Sequence, residues 1–67
     1  MLGKRYVQPS KKGGGWEILE EGHRRATARA ATQEQAVAQA RILARREGGG
    51  KISVRDRTGK ISDTVVV

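Results

Sequence analysis

Short runs of alternating apolar and polar residues fill the first half of the chain, and glycine-rich turns separate them. Lys4–Pro9 and Trp16–Glu21 have the propensity of β-strands, and in the second run Trp16 and Ile18 share one face. Arg25–Ala31 alternates more weakly, because its apolar positions are alanines, which are poor strand formers. The pattern therefore predicts three consecutive strands.

A helix follows, because the period of the apolar positions changes from two to about 3.6. Thr32 begins a capping box in which its side-chain oxygen meets the N–H of Gln35. Gly48–Gly50 marks the end of the helix, where glycine can adopt the left-handed conformation. The apolar positions form one buried stripe. They are Ala36, Val37, Ala40, Leu43 and Ala44.

The last third of the chain predicts a β-hairpin. Lys51–Arg55 alternates cleanly, and Asp56–Gly59 is typical of a type I turn with Gly59 at positive φ. Lys60–Val67 returns as the fifth strand.

Strict alternation puts Ile61 and Val65 on the core face of the fifth strand. Asp63 falls on the same face, so a bulge or twist is expected near it. The element order is β-β-β-α-β-β. It predicts an α+β fold in which one helix packs on one face of an antiparallel sheet, and residues 1–67 form a single small basic domain.

The charge is strongly unbalanced. Fourteen residues are Lys or Arg and seven are Asp or Glu, which gives a formal charge of +7 and a pI of about 10.9. Arginine outnumbers lysine nine to five, and its planar fork suits phosphate. A surface this positive attracts polyanions, so nucleic acid is the first partner to consider.

The cations of two turns are the candidate contacts. Arg24, Arg25 and Arg29 belong to the second hairpin, and Lys11 and Lys12 to the first turn. Contacts of this kind bind the phosphate backbone, DNA or RNA, without reading base sequence.

The composition argues against catalysis, cofactors, metals and small-molecule substrates. Cysteine is absent, and His23 is the only histidine, so a tetrahedral zinc site is excluded and a solvated turn histidine is expected. Gly13–Gly15 precedes a predicted strand, and Gly48–Gly50 follows the predicted helix. A phosphate loop needs the reverse order, with a strand before the glycines and a helix N-terminus after them. The acids Glu17, Glu20 and Glu21 indicate a partly charge-paired edge, and Trp16 is expected in the core.

The last strand offers an alternative function. Ile61–Val67 ends in three valines, with no charge there to guard an edge. A second copy could pair there to form a homodimer, or another protein could add a strand. The longest apolar run is far too short to span a membrane, and no signal peptide is visible, so a cytoplasmic protein is expected.

Six short segments occur in the order found in a small bacterial family. They are Tyr6-Val7-x-Pro9, Gly14-Gly15-Trp16-x-Ile18, Arg25-Ala26, Thr32-x-x-x-Ala36-x-x-x-Ala40-Arg41, Gly50-Lys51-Ile52-Ser53-Val54 and Gly59-Lys60-Ile61. The ordered set resembles the family catalogued as domain of unknown function 2188, over nearly the whole chain. The resemblance implies a short, single-domain bacterial protein without an established activity, and no catalytic residues to map.

Overall fold

The computed structural model describes residues 3–11, 13–23 and 25–67, and it has the predicted order of elements. They are β1 Gly3–Pro9, β2 Trp16–Glu20, β3 Ala28–Ala30, α1 Gln33–Arg46, β4 Gly50–Arg55 and β5 Ile61–Val66.

The five strands form one sheet in the order β3-β2-β1-β4-β5. The predicted α+β fold with one helix on the sheet is confirmed, and three of the four strand pairs are antiparallel. The central pair, β1 with β4, is parallel, which the alternation pattern did not predict. Since β1 and β4 run in the same direction, α1 must carry the chain from the β3 edge back to the start of β4.

This topology gives the sheet two distinct ends. The upper end holds the β1–β2 turn, the start of α1 and the β4–β5 turn. The lower end holds the β2–β3 turn and the end of α1.

The core lies between α1 and one face of the sheet. Alanines Ala36, Ala40 and Ala44 form the fully buried stripe of the helix, and their small side chains let it approach the strands closely. Trp16 is only 8% exposed, so its predicted place in the core is confirmed. The sheet side of the core consists of Val7, Trp16, Ile18, Ile52 and Val54.

Both predicted helix ends are confirmed. The Thr32 hydroxyl oxygen accepts a hydrogen bond from the Gln35 N–H at 3.1 Å. At the other end, Gly48 and Gly49 have φ of +89° and +109°, and the Gly49 N–H donates to the Ala44 carbonyl at 2.8 Å. These bonds satisfy backbone groups that the helix leaves unpaired at its ends.

Two strand predictions need correction. The third strand spans only Ala28–Ala30, because the strand pairing with β2 begins at Ala28, after a bond from the Thr27 N–H to the Ile18 carbonyl. Ile61 does not face the core. The register shifts between Val54 and Arg55, which places Ile61 opposite Arg55 with 53% of its surface exposed. The irregularity expected near Asp63 is therefore confirmed, and it is what turns Ile61 outward.

Gly15 lies where the β1–β2 turn meets the end of β3. Its φ is +77°, and a Cβ there would lie 2.8 Å from the Ala30 carbonyl oxygen. Its neighbour Gly14 has a similar φ of +75° but open space around the same position. The two glycines thus separate the cost of the backbone conformation from the cost of a clash.

We expect Gly14→Ala to lower the free energy of unfolding by about 1 kcal/mol, the usual cost of a left-handed conformation for a residue with a Cβ. Gly15→Ala should cost at least about twice as much, because the backbone at Ala30 must also move. Urea denaturation of the two variants checks this. Equal losses would show that the close approach to Ala30 has no energetic consequence.

Candidate nucleic-acid interface

The ion pairs of the described residues all lie at the lower end of the sheet. Lys4 pairs with Glu21 at 3.9 Å, and His23 lies 3.6 Å from Glu20. The other two pairs join Arg5 to carboxylates. The expected charge-paired edge is therefore confirmed for Glu20 and Glu21, with partners from β1 and the β2–β3 turn.

Arg5 is a buried cation, only 2% exposed, on the helix-facing side of β1. One of its terminal nitrogens lies 3.2 Å from Glu20 on β2 and 2.8 Å from Glu47 at the end of α1. Its Nε has no hydrogen-bond partner among the described residues. Arg5 thus ties the end of the helix to the sheet, and it is removed from any surface that could bind an anion.

We expect Glu20→Gln combined with Glu47→Gln to be more destabilising than Arg5→Met. The double variant leaves a buried guanidinium without a counter-charge, which costs about 3 kcal/mol. Arg5→Met removes the buried charge and leaves carboxylates that water can reach, so its loss should be roughly half as large. Thermal and urea unfolding give the ranking, and the reverse order would contradict the assignment of Arg5 as the costly buried partner.

The upper end carries cations of a different kind. We call Lys11, Arg29, Arg55, Arg57 and Lys60 the upper cation cluster. None of them lies within 4.0 Å of a carboxylate oxygen in the described part of the chain, whereas Lys4 and Arg5 at the lower end do. Cations without a carboxylate partner also occur at the lower end, at Arg25, Arg45, Arg46 and Lys51, so the upper end is distinguished by how its cations are arranged and not by their lack of partners.

A groove of about 470 Å³ opens at the upper end between the β1–β2 turn and the β4–β5 hairpin. Lys11 lines one wall, and Arg55 and Arg57 line the other. The two guanidinium groups rest on aromatic rings, Arg55 at 5.3 Å from the centre of Tyr6 and Arg57 at 5.8 Å from that of Trp16.

Arg55 also donates a hydrogen bond to the Gly59 carbonyl at 2.8 Å. Cation–π contacts of this kind hold the planar group in place while part of its edge stays free to donate. The groove is therefore lined by cations whose orientation is partly fixed before any ligand arrives.

Asp56 is the one carboxylate that lines this groove. Its Oδ1 accepts hydrogen bonds from the Thr58 N–H at 2.8 Å and the Lys60 N–H at 3.1 Å, and from the Thr58 hydroxyl. The Thr58 hydroxyl and then the turn amides lower the pKa of Asp56 below its ordinary value of 3.8. The carboxylate is thus committed to the turn, where it shapes the hairpin that carries Arg55 and Arg57.

The pKa of Asp56 is lower in the folded state, so its contribution to stability is complete above pH 3.8 and is lost as pH falls through the folded-state pKa. Asp56→Asn keeps an oxygen acceptor but removes the charge. We expect this variant to melt below the wild type at neutral pH, and the gap to close in acid. Thermal unfolding from neutral to acidic pH measures it, and a gap that stays constant would exclude the carboxylate charge as its source.

The predicted contact residues do not form one site. Lys11 lies at the upper end, and Arg29 adjoins it by lining a hollow with Gly13–Gly15 of the same turn. Arg25 belongs to the β2–β3 turn at the lower end, separated from Lys11 by the length of β2, roughly 15 Å. Lys12 and Arg24 lie outside the described residues.

Arg55 and Arg57 are the functional candidates that the sequence-based selection left out. They flank the Asp56–Gly59 turn, which was correctly predicted, including the positive φ of Gly59. The turn prediction was therefore the available signal for a projecting pair of arginines. The sequence did not indicate that this hairpin faces the β1–β2 turn, because that arrangement depends on the parallel pairing of β1 with β4.

The described residues contain neither a metal-ligand cluster nor a helix that could span a membrane. No cluster of three or more acidic or histidine side chains is placed to hold a metal ion. The described helix, α1, has 14 residues and is too short and too polar to cross a bilayer.

Three comparisons with known proteins leave the function open. The model of a family described as an uncharacterized protein conserved in bacteria, DUF2188, matches residues 5–64. No curated protein and no solved structure gives a significant match. The family match stops before Val65–Val67, so the valine tail at the end of β5 lies outside it.

Proposed function

We propose that this chain, which belongs to the bacterial family DUF2188, binds nucleic acid through phosphate contacts at its upper end. The observation that carries the proposal is the convergence of Lys11, Arg55 and Arg57 on one groove at the upper end. None of the three lies within 4.0 Å of a carboxylate oxygen in the described chain. Cations that line one groove raise the local positive potential, which attracts a polyanion.

The shape of the upper end supports a repeating anion as the ligand. Lys11, Arg55 and Arg57 line the groove, while Arg29 lies on the other side of the β1–β2 turn. A single phosphate would engage only part of this set, whereas a nucleic-acid backbone offers phosphates at regular intervals. The aromatic rings beneath Arg55 and Arg57 reduce the entropy lost when these side chains bind.

The proposal is for binding without catalysis. Phosphate contacts fix the position of a protein on nucleic acid but carry no base information. The aromatic residues of this chain are Tyr6 and Trp16. Trp16 is in the core, so it cannot stack on a base. Weak, sequence-independent binding in the cytoplasm is therefore the function that these residues support.

Binding should weaken steeply with salt, because each neutralised phosphate releases counterions. With about five phosphates engaged, the logarithm of affinity for duplex DNA should fall against the logarithm of salt with a slope of roughly −4 to −5. Fluorescence anisotropy at several salt concentrations measures the slope. Absence of binding at low salt by folded protein would remove the proposal.

Arg55→Gln with Arg57→Gln should weaken binding roughly ten- to hundredfold at low salt and make the slope shallower by about 2. The matched control is Arg41→Gln with Arg45→Gln, which removes the same charge from exposed positions on α1. Circular dichroism confirms that both variants are folded. Equal losses in the two variants would mean that net charge, and not the upper end, determines binding.

A further inference from the structure

The β5 edge of the sheet is unpaired and poorly protected. β5 is the last strand in the sheet order, with β4 as its neighbour in the described chain. α1 packs on the other four strands, and Val65 of β5 lies at the margin of the core. Val66 is 74% exposed and Ile61 is 53% exposed. The opposite edge, β3, has three residues and an exposed arginine, which are common devices against edge pairing.

The backbone groups that point outward from β5 follow from its pairing with β4. Gly50 and Val67 exchange two hydrogen bonds, of 3.0 and 2.9 Å. In an antiparallel pair such residues alternate with non-bonded ones, so Lys51–Val66 and Ser53–Thr64 are non-bonded pairs. The N–H and C=O groups of Thr64 and Val66 therefore face away from the sheet.

We propose that a second copy of this chain pairs antiparallel with β5 about a two-fold axis at Val65. In this register Thr64 of each copy lies opposite Val66 of the other, so all the outward groups of these residues are bonded. Val65 then faces Val65 of the second copy, and the two five-stranded sheets become one of ten strands.

Two neighbouring registers are less favourable. An axis at Asp63 would place like charges directly opposite, which is destabilising across strands. An axis at Thr64 would place Val66 opposite Ser62, where the bulge interrupts regular pairing. The Val65 register puts Asp63 opposite Val67 and keeps the two carboxylates apart.

Charge limits the affinity of a second copy for this edge. β5 has one charged residue, Asp63, so a copy brings no cation to the edge. Each whole chain nevertheless carries +7, and the two copies repel at low ionic strength. Salt screens this repulsion within about 8 Å at physiological strength. Self-association should therefore strengthen with salt, whereas nucleic-acid binding weakens.

Asp63 restrains the pairing in the single chain. Its Oδ1 accepts a hydrogen bond from the Thr64 N–H at 2.8 Å, one of the outward amides that the second copy needs. The carboxylate must turn away before the strands join. Asp63→Ala leaves that amide free and should tighten association, and this direction is not expected of a residue that only supports the fold.

The first test is light scattering of the whole chain up to millimolar concentration at low and high salt. We expect a dimer that is favoured by salt and by Asp63→Ala. Val66→Lys should weaken it roughly tenfold, because the change enters the interface twice. Ile42→Lys is the matched control, since Ile42 is also a large exposed apolar residue, 48% exposed, but lies on α1. A wild type that stays monomeric at high salt, or equal weakening by both lysines, overturns the proposal.

The second test uses the absence of cysteine from the chain. In the proposed dimer the two Val65 residues form a non-bonded pair with Cα atoms about 4.5 Å apart, which a disulfide can bridge. Val65→Cys should cross-link rapidly under oxidation, and Thr64→Cys slowly, because its opposite residue is Val66. Faster cross-linking through Thr64 would overturn the register, and no cross-linking through either would overturn the pairing.

Discussion

The parallel pairing of β1 with β4 is the constraint on which the rest of the structure depends. It joins the first strand to the fourth at the centre of the sheet, and it requires the connection between β3 and β4 to cross back over one face. A helix whose buried stripe is alanine makes that crossing with a small distance to the sheet. The backbones of β1 and β4 leave no room for a side chain at the start of the pair, since a Cβ on Gly50 would lie 2.7 Å from the Gly3 carbonyl oxygen. Small residues are therefore required both in the helix and in the strand it leads to.

The same pairing decides which charged segments meet. It brings Arg5 of β1 under the end of α1, where Glu47 and Glu20 neutralise it at the lower end. It also brings the β4–β5 hairpin beside the β1–β2 turn, so that Lys11, Arg55 and Arg57 share one groove. Arg5 is buried and paired, so it is removed from any binding surface, whereas Lys11, Arg55 and Arg57 line a groove that a polyanion can reach.

The two proposed functions use different parts of the sheet. Phosphate binding uses the upper end, where Lys11, Arg55 and Arg57 line the groove, and self-pairing uses the β5 edge around Val65. The two therefore do not compete for the same side chains. Two copies joined through β5 would carry two upper cation clusters, and because the strands would be antiparallel, these clusters would lie at opposite ends of the joined sheet.

The sequence by itself determined the local structure, because each local feature depends on residues close together in the chain or on a period within one element. These features are the Thr32 cap, the alanine stripe, the Asp56–Gly59 turn and the burial of Trp16. It did not determine that Ile61 faces outward, since a single extra residue in β5 reverses the face. It also gave Lys11 and Arg25 as contacts of one interface, although β2 separates their turns in space. Only the tertiary structure decided which turns meet, because parallel pairing joins segments more than forty residues apart, and no local pattern records that choice.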